Sequence, residues 1–246
     1  MTVKESRVRV VLVGSAGRMG RTIADVARQH SDIDIVALCD LGDPLEPAIS
    51  HANVVIDFSH ASAIGEICRV ALQHKQPMVI GTTGHSPEQL RQIEKCAESV
   101  PVVLASNFSV GVNALFWLTR KAAEMLGPDF DVEIVEMHHR MKKDAPSGTA
   151  RTLAEILKQT RKIGKVRHGR EGEVGERSRD EIGIHSIRGG DVVGDHTVIF
   201  AGAGERLELT HRATQRETFA HGALRAAQWI VGKSPGLYTM GDVLGL

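Results

Sequence analysis

The chain has 246 residues, 42% of them hydrophobic, enough for one large domain or two small ones around a packed core. Thirty basic residues balance thirty acidic ones, so the charge gives no sign of a nucleic-acid footprint or of an anionic membrane as partner. The amino terminus, Met-Thr-Val-Lys-Glu-Ser-Arg, has no apolar leader, and no later run reaches the roughly eighteen apolar residues of a membrane span, so a cytoplasmic protein is expected.

Through the first hundred residues a short β-branched run, a small-residue turn and a segment of helical period recur, which predicts parallel β-α-β units. The strands are Val8 to Val13, Ile33 to Leu38, Val54 to Phe58, Met78 to Ile80 and Val102 to Leu104, each apolar as expected for strands covered on both faces. Arg21 to Gln29, Ala63 to Gln73 and Pro87 to Glu98 are the crossover helices. From about residue 130 the pattern becomes alternating, in Asp131 to Met137, Ile182 to Ile187, His196 to Ala201 and Arg206 to Thr210, as in a mixed or antiparallel sheet. Residues 164–180 hold four glycines and nine charged residues and read as a mobile surface loop. A last helix is expected after Arg216, with Thr214 and Glu217 spaced as a capping box. Cys39, Cys68 and Cys96 fit neither a zinc spacing nor a disulfide framework and read as buried free thiols.

The expected fold class is therefore α/β: a Rossmann-like dinucleotide-binding domain, residues 1–109 and 217–246, plus a smaller α+β domain with a mixed sheet, residues 110–216.

The first strand runs into Gly14-Ser15-Ala16-Gly17-Arg18-Met19-Gly20 and then a helix, which is where a dinucleotide pyrophosphate needs a tight turn and exposed N–H groups. Asp40 ends the second strand about twenty residues beyond the last glycine, where an acid can accept hydrogen bonds from the adenine ribose. A carboxylate there repels a 2′-phosphate and Leu41 supplies no cation, so NADH is the favoured cofactor and NADPH is not excluded. Gly81-Thr82-Thr83 and Ala105-Ser106-Asn107-Phe108 end later strands on the same crevice, where small residues let the nicotinamide half approach and Phe108 is placed to pack on a ring.

The densest polar segment is Glu136-Met-His-His-Arg-Met-Lys-Lys-Asp-Ala-Pro-Ser-Gly-Thr-Ala150, at a strand-to-helix turn. His138, His139 and Lys142 can move a proton and hold an anion, while Gly148 and Thr149 open a helix whose N-terminus attracts a carboxylate. Arg216 would add a second positive wall. Neighbouring lysines and the lack of spaced Cys/His ligands argue against a metal.

This turn, with Val13 to Gly20, Ile56 to Phe58, Val79 to Gly84, Ala105 to Asn113 and Gly204 to His211, resembles the dihydrodipicolinate (4-hydroxy-tetrahydrodipicolinate) reductases of lysine and diaminopimelate biosynthesis almost from end to end. The resemblance implies hydride transfer from NAD(P)H to the conjugated imine ring of a cyclic dicarboxylate, giving tetrahydrodipicolinate after loss of water. It implies His138 as acid/base, Lys142 as proton donor to the ring nitrogen, His139, Gly148, Thr149 and Arg216 as substrate contacts, and Gly14 to Met19, Asp40, Gly81 to Thr83 and Ala105 to Phe108 as cofactor contacts. It further implies a homotetramer with the mixed sheet at the subunit interface. Leu41 stands where many relatives carry arginine and His60 where some do, which bears on the cofactor phosphate. Two alternatives are set against this reading: another NAD(P)-dependent dehydrogenase of an amino or oxo acid, which has no need of the turn, and a non-catalytic dinucleotide sensor, which binds without turnover.

Overall fold

The computed structural model describes residues 7–246. In chain order the elements begin with β1 (Val8–Val13), α1 (Arg18–Ala27), β2 (Ile33–Cys39), α2 (Leu45–Ile49), β3 (Val54–Asp57), α3 (Ile64–His74), β4 (Met78–Ile80), α4 (Pro87–Ala97) and β5 (Pro101–Leu104). They continue with α5 (Val110–Leu126), β6 (Asp131–His138), α6 (Gly148–Arg161), β7 (Lys165–His168), β8 (Glu181–Arg188), β9 (Gly194–Ala201) and β10 (Arg206–Ala213). The chain closes with α7 (Glu217–Ile230), β11 (Gly236–Tyr238) and α8 (Met240–Leu244). Two compact units result: one runs to Val110 and resumes over Arg216–Leu246, the other is Gly111–Gln215.

The first unit is a six-stranded sheet in the order β11-β5-β4-β3-β1-β2, with every pair parallel. The central strands are apolar apart from Arg9 of β1 and Asp57 of β3, because helices bury both faces. Val10, Leu12, Val54 and Ile56 face Ile23 of α1, Leu224 and Ile230 of α7 and Met240 of α8, whereas Val11, Val55, Met78 and Ile80 face α2, α3 and α4. β2 departs from that expectation: at the sheet edge it alternates buried and exposed positions, with Leu38 55% exposed. The short connection after Leu41 holds only the five-residue helix α2. α7 begins at Glu217 without any side-chain cap, so the expected Thr214/Glu217 capping box does not form.

The second unit is a five-stranded mixed sheet, β10-β9-β6-β8-β7, in which β9 runs antiparallel to β6 and β10, while β8 runs parallel to β6 and β7. Its alternation places Val132, Ile134, Ile182, Ile184, Val198 and Phe200 against Leu115 and Ala123 of α5 and Leu153 and Leu157 of α6. α5 was not legible as a helix in the sequence, since Trp117, Leu118 and Met125 put apolar side chains on its exposed side and blur the period.

Residues 164–180 do not behave as the free loop that their composition predicts. They open with β7, and two arginines tie the remainder to the sheet face opposite the helices. Arg177 bonds the carboxylates of Asp131 and Glu133 and the carbonyls of Val132 and Glu181; Arg170 bonds Glu133 and Glu181. The desolvation of Glu133 would raise its pKa, but the two arginines and His185 outweigh it and hold the carboxyl down at about 2. Glu133 therefore contributes stability that is present above its ordinary value near 4.5 and is lost as pH falls toward 2. Replacing Arg177 with Ala should cost about 1–3 kcal/mol in denaturant unfolding and speed amide exchange across residues 164–180; unchanged exchange would show that the segment is held by other contacts.

Candidate active site

In the first unit the strand ends β1, β3, β4 and β5 present the segments expected to meet a dinucleotide. Gly14 has φ +84°, and a Cβ there would lie 2.5 Å from the Phe58 carbonyl oxygen; a Cβ on Gly20 would lie 2.1 Å from the Gly14 oxygen. Both glycines are thus sterically required, one by the turn and one by the close approach of helix to strand. The first turn of α1 carries no side-chain cap and no acid, so it suits an anionic pyrophosphate. Asp40 accepts from the Ser15 hydroxyl at 2.6 Å and the Ala16 amide at 3.0 Å, clasping the glycine turn from the end of the next strand. Beside it lies a cavity of about 390 Å³, lined in part by Leu41, Asp43, Leu45, His60 and Glu66, large enough for a nucleoside.

Gly81 and Thr82 follow β4. A Cβ on Gly81 would run into the Phe58 ring, and Thr82 is buried while Thr83 is exposed. After β5, Ala105 and Ser106 lie at the surface or half-buried, and Asn107 accepts from the Ser109 amide at 2.9 Å. The Phe108 ring corrects the sequence reading. It is 2% exposed and packs at 5.4 Å on Phe58, inside the core, so any contact this residue makes in the crevice falls to its backbone. Arg216 belongs to this unit, whereas His138, His139, Lys142, Gly148 and Thr149 belong to the other.

In the second unit the face of β6 that is apolar at Val132 and Ile134 turns polar at Glu136 and His138. Glu136, 1% exposed, takes a bidentate pair from Arg188 of β8 at 2.9 Å, the Nδ1 edge of His138 at 2.6 Å and the Ser147 amide at 3.2 Å. Its desolvation would raise its pKa, but Arg188, Ser186 and His138 outweigh this and hold it at about 2. Burial pushes the His138 imidazole below the ordinary histidine value, a pull that Glu136 opposes and that Lys142 and Arg188 reinforce. His196 of β9 packs edge-on to His138 at 5.1 Å, and its Nε2 meets the Ser147 hydroxyl at 2.9 Å. Burial, with the neighbouring His138, takes His196 down to about 3, so both rings are neutral at pH 7.

The turn after β6 is pinned to the segment before β9 by backbone bonds from His139 to Val192 and from Arg140 to Gly190. It holds a cis Ala145–Pro146 bond and ends at Ser147, which caps α6 by accepting from the Ala150 amide. Gly148 and Thr149 are the first two residues of that helix, with open space where a Cβ on Gly148 would stand. The Lys142 ammonium reaches both oxygens of Asp144, at 2.8 and 3.0 Å, and Arg188 donates to the Asp144 carbonyl. Asp144 therefore holds Lys142 in place, while Lys143 stays exposed. The unit thus gathers a neutral imidazole, an ammonium and a helix N-terminus. Sequence reasoning gave no role to Glu136 or Ser147 and missed Arg188 and His196. Their signal is weak: a polar residue on the inward parity of an otherwise apolar strand.

A parallel sheet with a glycine turn and clasping acid, followed by a unit bearing a cluster of ionisable side chains, fits an NAD(P)H-dependent oxidoreductase. The chain belongs to the dihydrodipicolinate reductase family: the model "Dihydrodipicolinate reductase, N-terminus" matches residues 8–108 and "Dihydrodipicolinate reductase, C-terminus" matches residues 111–244. It is 55% identical over 242 residues to the 4-hydroxy-tetrahydrodipicolinate reductase of Akkermansia muciniphila, covering 97% of this chain and 98% of that one. The protein of the same name from Aquifex aeolicus is 48% identical over 265 residues, at 97% and 99% coverage. A solved dihydrodipicolinate reductase from Paenisporosarcina sp. TG-14, bound to dipicolinate, superposes with a TM-score of 0.80 at 28% identity, covering 95% of this chain and 97% of that one.

Replacing Gly20 with Ala should force the helix start off the Gly14 carbonyl, costing about 1–3 kcal/mol of stability and weakening NADH binding in a fluorescence titration. Wild-type affinity would show that the turn does not hold the cofactor.

Proposed function

We propose that the chain reduces the conjugated imine ring of a cyclic dicarboxylate to tetrahydrodipicolinate, using NAD(P)H, after loss of water from the 4-hydroxy precursor, within lysine and diaminopimelate biosynthesis. The observation that carries the reading is the polar turn, where His138, Lys142 and the start of α6 lie within one folded unit. The cofactor, when bound, supplies hydride to a ring carbon. The electron pair displaced through the conjugated system then falls on the ring nitrogen, which takes a proton. The Lys142 ammonium is the donor for that proton, and His138, kept neutral by burial, serves as acid/base beside it. Gly148 and Thr149 at the helix N-terminus, with His139, hold a substrate carboxylate, and Arg216 adds a second cationic contact.

On the cofactor side Gly14 to Met19 cradle the pyrophosphate, Asp40 meets the adenine ribose, and Gly81 to Thr83 with the Ala105 to Phe108 backbone line the nicotinamide end. NADH is preferred in this reading. Asp40, Asp43 and Glu66 surround the nucleoside cavity with negative charge, Leu41 is fully exposed and supplies no cation, and His60 is engaged with Ser62. The same reading carries the homotetramer: β10, exposed at most of its residues, and Ile187, 46% exposed, leave sheet surface for other copies. Three free thiols and the absence, among the described residues, of any helix long and apolar enough to cross a membrane fit residence in the cytoplasm.

The test couples enzymatic synthesis of the labile substrate to NADH absorbance; no oxidation under conditions where a control reductase works would refute the reading. His138→Ala and Lys142→Ala should each lower turnover about 10²-fold or more, the scale for losing a positioned acid or base, and full turnover in both would reject their roles. Leu41→Arg should improve NADPH binding, and a titration with no gain would place the 2′-phosphate elsewhere.

A further inference from the structure

His138 sits where four elements converge, and what touches its two nitrogens differs sharply. Nδ1 lies 2.6 Å from a Glu136 oxygen, and that carboxylate is held ionised by Arg188 and steadied by the Ser147 amide. An ionised carboxylate only accepts, so Nδ1 must carry the hydrogen and the neutral ring keeps its lone pair on Nε2. That second nitrogen lies beside Gly194 of β9, where any side chain would crowd it: a Cβ there would stand 3.0 Å from Nε2 and 3.4 Å from Cδ2. Charged and titratable groups facing the ring are Glu136 on its own strand, Arg188 from β8, His196 from β9 and Lys142 from the turn.

We propose that Glu136 is a positioning residue for the reduction. It fixes His138 as the Nδ1–H tautomer with Nε2 as the nitrogen that exchanges the proton, and Gly194 keeps that nitrogen accessible. Glu136 touches no reacting atom; it acts through His138, and through Ser147 and Arg188 it also sets the start of α6 and the carbonyl of Asp144. One carboxylate thereby aligns the acid/base, the anion-holding helix and the turn that carries Lys142. Losing a histidine's orienting acid damages catalysis chiefly by allowing the wrong tautomer. The proposal rests on the reductase reading given above, and its first test does not depend on turnover.

In wild-type protein labelled with nitrogen-15 histidine, with the His138 signals assigned by their loss in His138→Gln, the neutral ring should show Nδ1 protonated and Nε2 as the lone-pair nitrogen. An Nε2–H tautomer would overturn the proposal without any variant having to fold. Glu136→Gln, checked for folding by circular dichroism, should lower kcat on the order of 10²-fold or more with a smaller change in KM. It should also move the His138 titration and the acidic limb of the pH profile to lower pH, because the imidazolium loses its anionic partner. A fall in kcat with tautomer, titration and pH limb all unchanged would assign Glu136 a purely structural part and refute the proposal. Gly194→Ala should lower kcat while leaving the Nδ1–H tautomer intact, because the methyl covers Nε2. Full activity in that variant would show that Nε2 is not the exchanging nitrogen. If the tautomer is as stated but no variant or wild type turns over substrate, the reductase reading fails and the positioning of His138 stands.

Discussion

A buried carboxylate cannot stay ionised alone, and Glu136 is such a group, at 1% exposure on the inward face of β6. It is ionised because Arg188 meets it with both arms of its guanidinium, and the remaining acceptor sites go to a histidine and a backbone amide. Everything peculiar to the second unit follows from that arrangement. The inward face of β6 changes from apolar at Ile134 to polar at Glu136, the cis-proline turn returns its Ser147 amide to the same carboxylate, and α6 starts where Ser147 is fixed. The helix-covered core and the acid/base cluster are thus two ends of one sheet face.

The first unit solves the opposite problem, leaving backbone donors and space for an anion. Its solution is steric: glycine at positions 14 and 20, where a side chain would strike backbone, and an acid at position 40 that organises the turn through Ser15 and Ala16. The same acid, with Asp43 and Glu66 nearby, gives the neighbouring cavity its negative character. In the function proposed above, the two units divide the labour of a reductase, the first taking the dinucleotide and the second the proton and the carboxylates.

How much of this was legible in the sequence depended on the range of the interaction. Strands β1, β3, β4 and β5 could be read because burial on both faces leaves continuous apolar runs, and β6 could be read because burial on one face leaves alternation. The glycine turn and the turn from Glu136 to Ala150 could be read because their residues are neighbours in the chain. Arg188 and His196 could not, since each joins the site only through strand pairing some fifty positions away. The burial of the Phe108 ring depends on Phe58, distant in the chain, and its backbone is seated against Gly222, whose Cβ would lie 1.8 Å from the Phe108 oxygen. Composition misled over residues 164–180, because charged residues signal disorder only when they lack partners, and here Glu133, Glu181 and Asp131 supply them.

The central claim is that the dinucleotide turn and the Glu136-ordered turn serve one reaction. A crystal structure of the protein with NADH and the planar analogue pyridine-2,6-dicarboxylate tests it most directly. The account predicts one analogue carboxylate on the amides of Gly148 and Thr149, the ring nitrogen within hydrogen-bond reach of Lys142 Nζ, and a ring carbon facing the nicotinamide. An analogue bound away from α6, or with its ring nitrogen turned from Lys142, would contradict it.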